Sequence, residues 1–197
     1  MSMAYEAHGR VGQKGRTRSG LISAARELIA QGATPTVESA AAAALISRTT
    51  AYRYFSSQRA LLIAAHPEIE MTSMLPPNPP RDPQSRLDAV LHEFHRMILE
   101  TELQQRTALR LSLEPGPQHG DHPLRQGRAV GWIAEALSPL QGVLPERELT
   151  RLVLAIRSAT GIEALVWLTD VAELSREEAT ALMRSTAQAL LRSAVPG

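Results

Sequence analysis

The apolar positions of this chain recur at spacings of three and four almost throughout, which is the period of an α-helix. In residues 17–33, Leu21, Ala24, Ala25, Leu28 and Ile29 share one face, and Gly32 closes the helix. Thr36 is a good N-cap for a second helix, whose inner stripe is Val37, Ala40, Ala41 and Ala44. Ser47 can cap a third helix through about Phe55, with Ala51 and Phe55 turned inward. Ser56 or Ser57 can start a fourth, with Leu61, Leu62 and Ala65 inward, and Pro67 should end or kink it. The stretch "MLPPNPPRDP", residues 74–83, holds five prolines in ten residues; it cannot be a helix interior and reads as a stiff linker.

Beyond that stretch the helical period returns. Leu87, Val90, Leu91, Phe94 and Ile98 form one stripe. "LQQRTALRLSLE" follows, then the breaker "PGPQHGDHP", then "LRQGRAVGWIAEALSPL". A long helix is expected over 148–174, apolar around much of its circumference after Gly161. A last helix opens on Ser175 and Glu178, which have capping-box spacing. No strand and no internal repeat is visible.

Composition narrows the class. Of 197 residues, 44% are hydrophobic but only 4% aromatic, so alanine and leucine carry the core and helix is favoured over sheet. The chain has no cysteine, which excludes a disulfide framework and a thiolate metal site. It has no run of 18 apolar residues and no apolar signal core at its start, so a soluble, cytoplasmic protein without a membrane partner is expected. The net charge of +1 is unevenly spread. Residues 1–65 carry eight Arg or Lys against three acids, and the remaining residues carry 13 against 17. A basic head on an acidic body points the head at a polyanion.

The head also has the geometry for one. Two short helices, 37–44 and 48–55, flank the three-residue connection Leu45-Ile46-Ser47, the spacing of a helix-turn-helix. In such a unit the second helix enters the major groove with its N-terminal residues toward the base edges. Ser47, Arg48, Thr49 and Thr50 stand there, and Arg48 could take a guanine bidentately. Tyr52 and Arg53 follow one turn later on the same exposed side, placed to hold phosphates.

The run "TPTVESAAAAALISRTTAYRYFSSQRALLIAA" resembles the DNA-binding domain of the tetracycline-repressor (TetR) family of bacterial regulators. The resemblance is carried by Thr36, Val37, Ala43, Ala44, Ser47, Tyr52, Tyr54, Phe55, Ser57, Leu61 and Leu62, within residues 16–65. It departs from the family pattern in three ways. The turn glycine is Leu45, and the turn is expected to adjust rather than hold a leucine at positive φ. Ala40 and Ala51 replace larger aliphatic residues, and Gln58 stands where the family has a phosphate-contacting lysine.

The fold class expected is all-α: an N-terminal three-helix helix-turn-helix DNA-binding domain and a larger helical ligand-binding and dimerisation domain. The divisions are a flexible basic arm (1–15), the DNA-binding domain (16–70), a Pro-rich linker (71–83) and the second domain (84–197). The residues assigned to DNA are Arg16, Thr36, Ser47, Arg48, Thr49, Thr50, Tyr52, Arg53, Tyr54 and Gln58. The resemblance further implies a repressor released from a palindromic double-stranded operator by a small-molecule effector. It also implies a homodimer formed by the last two long helices, 148–174 and 176–194. Candidate effector contacts are His92, His95, Arg110, Leu111, Glu114, Trp132, Glu163 and Trp167, for a mostly apolar molecule seated near Leu91, Leu111, Trp132 and Trp167.

Enzyme chemistry finds no purchase, since the chain has no phosphate-binding glycine loop, nucleophile elbow or HExxH. The pairs His92/His95 and His119/His122 are too few for a metal site, and no cofactor is implied. The alternative reading is a helical dimeric ligand-binding protein whose operator recognition is weak or lost, given Leu45 and Gln58.

Overall fold

The computed structural model describes residues 3–65, 71–113 and 127–195, and among these the regular structure is helical with no strand. In chain order the helices are α1 (Met3–Ala30), α2 (Val37–Ala43), α3 (Arg48–Tyr54), α4 (Gln58–Ala65), α5 (Pro83–Glu100), α6 (Glu102–Leu113), α7 (Arg128–Ala136), α8 (Glu146–Thr160), α9 (Ile162–Asp170) and α10 (Arg176–Ala194). A single 3₁₀ turn, Ser138–Leu140, follows α7. The chain divides into two compact units, residues 1–69 with 110–124, and residues 70–109 with 125–197.

In the first unit, α1 packs against α2 and α4, and α2 against α3. The core is Leu21, Ile22, Ala25, Ile29, Val37, Ala40, Ala41, Ala51, Phe55 and the inner face of α4. The small side chains let short helices approach closely, and Phe55 closes the space at the end of α3. Gly32, at φ 86°, ends α1: the Ala33 amide donates to the Leu28 carbonyl at 2.9 Å, the bond that seals a left-handed helix end. The arm expected over 1–15 is instead helical from Met3 onward. Ala4, Glu6, Ala7, Arg10 and Gln13 are good helix formers, and no proline interrupts them, so α1 runs through the three glycines that suggested a break.

The second unit is built on larger residues. Leu87, Leu91, Phe94 and Ile98 of α5 meet Trp132 and Ile133 of α7, Ile156 of α8, Leu165 of α9, and Met183 and Leu191 of α10. α10 packs on α8, α5 and α9, and α7 on α5 and α8. Arg86 joins two of these helices, donating to the Ala136 carbonyl at 2.9 Å and the Glu135 carbonyl at 2.8 Å, the exposed C-terminal oxygens of α7. The proline-rich stretch has no regular structure, yet Met74 is only 3% exposed and belongs to this core, with Met71 and Leu75 packed beside it. It is a strap on the second unit and not a bare spacer.

The long helix expected over 148–174 is broken. Gly161 separates α8 from α9 with an extended backbone, φ −91° and ψ −178°. Apolar periodicity continues across the break, which is why the pattern reads as one helix. Taken end to end, residues 146–170 are long and apolar enough to cross a membrane by length and hydropathy; two helices of 15 and 9 residues, folded into a shared core, are not.

Candidate nucleic-acid interface

The two motif helices are fixed at their starts by their own side chains. Thr36 Oγ1 accepts from the Ser39 amide at 3.1 Å, and Ser39 Oγ accepts from the Thr36 amide at 2.8 Å, a reciprocal cap. Ser47 Oγ accepts from the Thr50 amide at 3.2 Å and donates to Thr50 Oγ1 at 2.8 Å. Thr36 and Ser47 therefore set where α2 and α3 begin. Thr50 is half-buried with its hydroxyl turned to Ser47.

The turn between the helices does not adjust. Leu45 sits at φ 55°, in the left-handed region. The cause is the end of α2: the Ile46 amide donates to the Ala41 carbonyl at 2.8 Å and the Leu45 amide to the Ala42 carbonyl at 3.1 Å. These bonds require a left-handed residue at position 45, and they hold a leucine there at a cost of about 1 kcal/mol relative to glycine. The side chain is 95% exposed, so it recovers nothing by burial.

On α3, Ala51 and Phe55 face the core while Arg48, Thr49, Tyr52 and Arg53 are exposed. Tyr54 is half-buried against the core. Ile46, just before the helix, also packs there. The inner residues set the rotation of the helix, and that rotation turns two guanidiniums, a hydroxyl and a phenol to one side. Arg16 is exposed on α1. Gln58 donates through Nε2 to the Pro35 carbonyl at 3.0 Å, tying the start of α4 to the loop before α2. Arg18 lies over the Phe55 ring at 5.4 Å.

Sequence reasoning missed Glu38. Its Oε1 accepts from the Tyr52 hydroxyl at 2.6 Å and lies 3.1 Å from Arg48 Nη2, and the Arg48 guanidinium stands over the Tyr52 ring at 5.7 Å. The Tyr52 hydrogen bond holds the Glu38 carboxyl below the ordinary carboxylate range, and the same bond pushes the Tyr52 phenol up. The available signal was that Glu38 is the one acid between Glu27 and Glu68, on an otherwise basic segment.

The residues proposed from sequence for the effector are not gathered in one place. Trp132 is 3% exposed, edge-on to Phe94 in the core at 5.8 Å between ring centroids. Trp167 is 58% exposed and borders a shallow groove of about 310 Å³ with Leu168, Leu182 and Met183. Leu91 is fully buried, so it is packing rather than pocket wall. Glu163 pairs with Arg157 at 3.1 Å beside Gly161. Arg110 is exposed and donates to Thr34 Oγ1 at 3.2 Å within the first unit. The side chain of Leu111, all of Glu114, and His119 and His122 lie outside the described residues. His92 lines a cavity of about 880 Å³ bounded by α5, the end of α10 and the strap, with Met71, Met74, Asp88 and Arg192 among its walls.

His95 points elsewhere, into the core. It is 4% exposed, and its Nε2 lies 3.2 Å from the Thr160 carbonyl, an oxygen left free by the break at Gly161. Burial pushes the imidazole down to about 4, so it is neutral near pH 7 and donates from Nε2, leaving Nδ1 buried without a partner. Among the described residues no group of three or more His, Asp or Glu side chains is placed to hold a metal.

Residues 21–65, the inner part of α1 through α4, match the family model for bacterial regulatory proteins of the tetR family. No curated protein and no solved structure matches the chain.

Proposed function

We propose, from the premise that residues 21–65 form the DNA-binding region of a tetR-family transcriptional regulator, that this chain is a repressor working as a homodimer. The observation that carries the reading is the side of α3 that Ala51 and Phe55 turn outward, with Arg48 and Thr49 at its start and Tyr52 and Arg53 one turn on. On that reading α3 enters the major groove, Arg48 and Thr49 meet base edges, and Tyr52, Arg53 and Arg16 hold phosphates. A two-fold dimer places two such helices about 34–36 Å apart, on a palindromic operator. The face for dimerisation is the apolar surface left on the last helices, where Leu154, Trp167, Val171 and Leu182 are exposed.

The effector would enter the second unit at the cavity between α5, α10 and the strap, whose size suits a drug-sized molecule. Its walls combine methionine thioethers with Asp88, His92 and Arg192, which fits an apolar body with a polar head. A preference of roughly 3 kcal/mol for the DNA-free form would change operator occupancy about a hundredfold.

A second reading, a dimeric ligand-binding protein with weak operator recognition, is favoured by the tie of Gln58 to Pro35. One experiment separates the two: a gel shift at low salt with the DNA upstream of the chain's own gene, run with the parent and with Tyr52→Phe and Arg53→Ala. The repressor reading requires a discrete shift weakened about fivefold or more by each variant. A parent that shifts no duplex, or variants that bind as the parent does, would overturn it. Analytical ultracentrifugation of Trp167→Glu tests the dimer face, which is misplaced if the variant remains a dimer.

A further inference from the structure

Glu38 is the one acidic side chain on α2, α3 or α4, and it occupies two of the groups expected to grip DNA. A single oxygen, Oε1, takes both the Tyr52 hydroxyl at 2.6 Å and the Arg48 guanidinium at 3.1 Å. Arg48 is also drawn over the Tyr52 ring. Side chains from two helices thus form one closed cluster on the surface, in which a carboxylate fills the place a phosphate would take. We propose that Glu38 is a specificity-determining residue: its carboxylate competes with DNA phosphates for Arg48 and Tyr52 and so suppresses binding to the wrong sequence.

Discrimination is a difference between two ligands. A duplex of arbitrary sequence offers Arg48 and Tyr52 only phosphates, which bind them by the same charge-assisted contacts that Glu38 already supplies. Exchanging one for the other gains little and leaves the freed carboxylate beside a polyanion. An operator offers more. A guanine edge takes Arg48 through two parallel hydrogen bonds, a match that a single carboxylate oxygen does not provide. On a random duplex Arg48 must leave Glu38 to reach a phosphate, whereas on an operator its guanidinium, with five N–H donors, can give two to a guanine edge while another stays on Glu38. The penalty of parting the pair therefore falls on the wrong sequence, and discrimination arises from that inequality. The pair can part because none of the three side chains is buried, Arg48 and Tyr52 being exposed and Glu38 half-buried, where ion pairs are weak. The inference rests on α3 being the helix that meets DNA.

The test uses the full chain and Glu38→Gln, which removes the charge, keeps an acceptor for Tyr52 and lies on an exposed first turn where folding is not at risk. Each protein is titrated by fluorescence anisotropy, over a series of salt concentrations, against two duplexes. One has random sequence; the other is selected from a random pool by the parent chain. Glu38→Gln should bind the random duplex about tenfold tighter, with the slope of log K against log salt steeper by about one, because Arg48 is free to displace a further counterion. Its gain on the selected duplex should be no more than about twofold, so the specificity ratio falls. Equal gains on both duplexes, no gain, or a loss on the random duplex would overturn the proposal; a loss on both would make Glu38 a positioning residue instead. A parent that binds no random duplex and selects none from the pool would remove the reading of α3 itself, an outcome distinct from all of these.

Discussion

Residues 14–65 bury no polar side chain, and their interior is lined with alanines, whereas the second unit buries His95 and Thr160 at the centre of a core of leucine, isoleucine, phenylalanine and tryptophan. In the first region every charged and hydroxylated group proposed to meet DNA lies on the surface, on helices whose capping bonds are local. In the second, a polar contact is built into the packing itself: the break at Gly161 frees a carbonyl, and His95 meets it. The flexible ends of an ion pair occupy the space over Gly161. A Cβ would lie 1.8 Å from Arg157 Nη1 and 2.6 Å from Glu163 Oε2, because the ion pair crosses directly over it. The comparison teaches that the proposed recognition surface can be altered residue by residue with little effect on folding, while the second unit responds to change as a whole.

The comparison breaks most readily at Phe94, which is 2% exposed, stands edge-on to Trp132 and carries the Arg157 guanidinium over its ring at 5.9 Å. Phe94→Ala should cost about 3–5 kcal/mol in urea unfolding of the second unit. A cost near 1 kcal/mol would mean that this core is as forgiving as an alanine-lined one.

Acid is the next probe. The His95 imidazole is held at about 4 in the folded chain, below its ordinary value of 6.5. The unfolded chain therefore binds the extra proton between those values. Stability should be full above pH 6.5 and fall as pH drops toward 4, by up to about 3 kcal/mol. Thermal melts across that range should show the fall, and His95→Gln should flatten it. An unchanged pH profile in the variant would assign the acid sensitivity to other groups.

Arg48→Ala should leave the melting temperature within about 1 °C, as an exposed substitution does. It should cost about 1–3 kcal/mol on the best operator and relax one position in each half-site. A selection that returns the parent's consensus would show that Arg48 meets phosphate only. The smallest effect is a gain: Leu45→Gly should relieve the left-handed leucine and stabilise the first unit by about 1 kcal/mol. Destabilisation would mean that the exposed leucine has a role in the folded chain.

What the sequence made legible were features whose physical cause is local. Thr36, Ser47 and the Ser175–Glu178 pair mark helix starts because a cap is made within three residues, and all three caps form. The inward rotation of Ala51 and Phe55 follows from a period of four. The break at Gly161 was not legible, since a glycine inside an apolar helical pattern is common and the ion pair that fills its space joins residues six apart. The left-handed Leu45 was hidden because the bonds that enforce it belong to the end of α2 rather than to the leucine. The effector candidates were scattered for a related reason. A cavity is made by elements distant in sequence, here α5, α10 and the strap, and no pattern along one helix announces which of its polar residues will face it.

The alanines of the first unit also bear on time. Ala25, Ala40, Ala41 and Ala51 give adjoining helices few side-chain atoms to interlock, so α2 and α3 can part from α1 by breaking few contacts. Such partial openings need less free energy than unfolding the whole chain, and they expose backbone amides to solvent. Deuterium would thus enter α2 and α3 well before α5 and α8, and the segment proposed to fit itself to a groove would be the one that breathes most often.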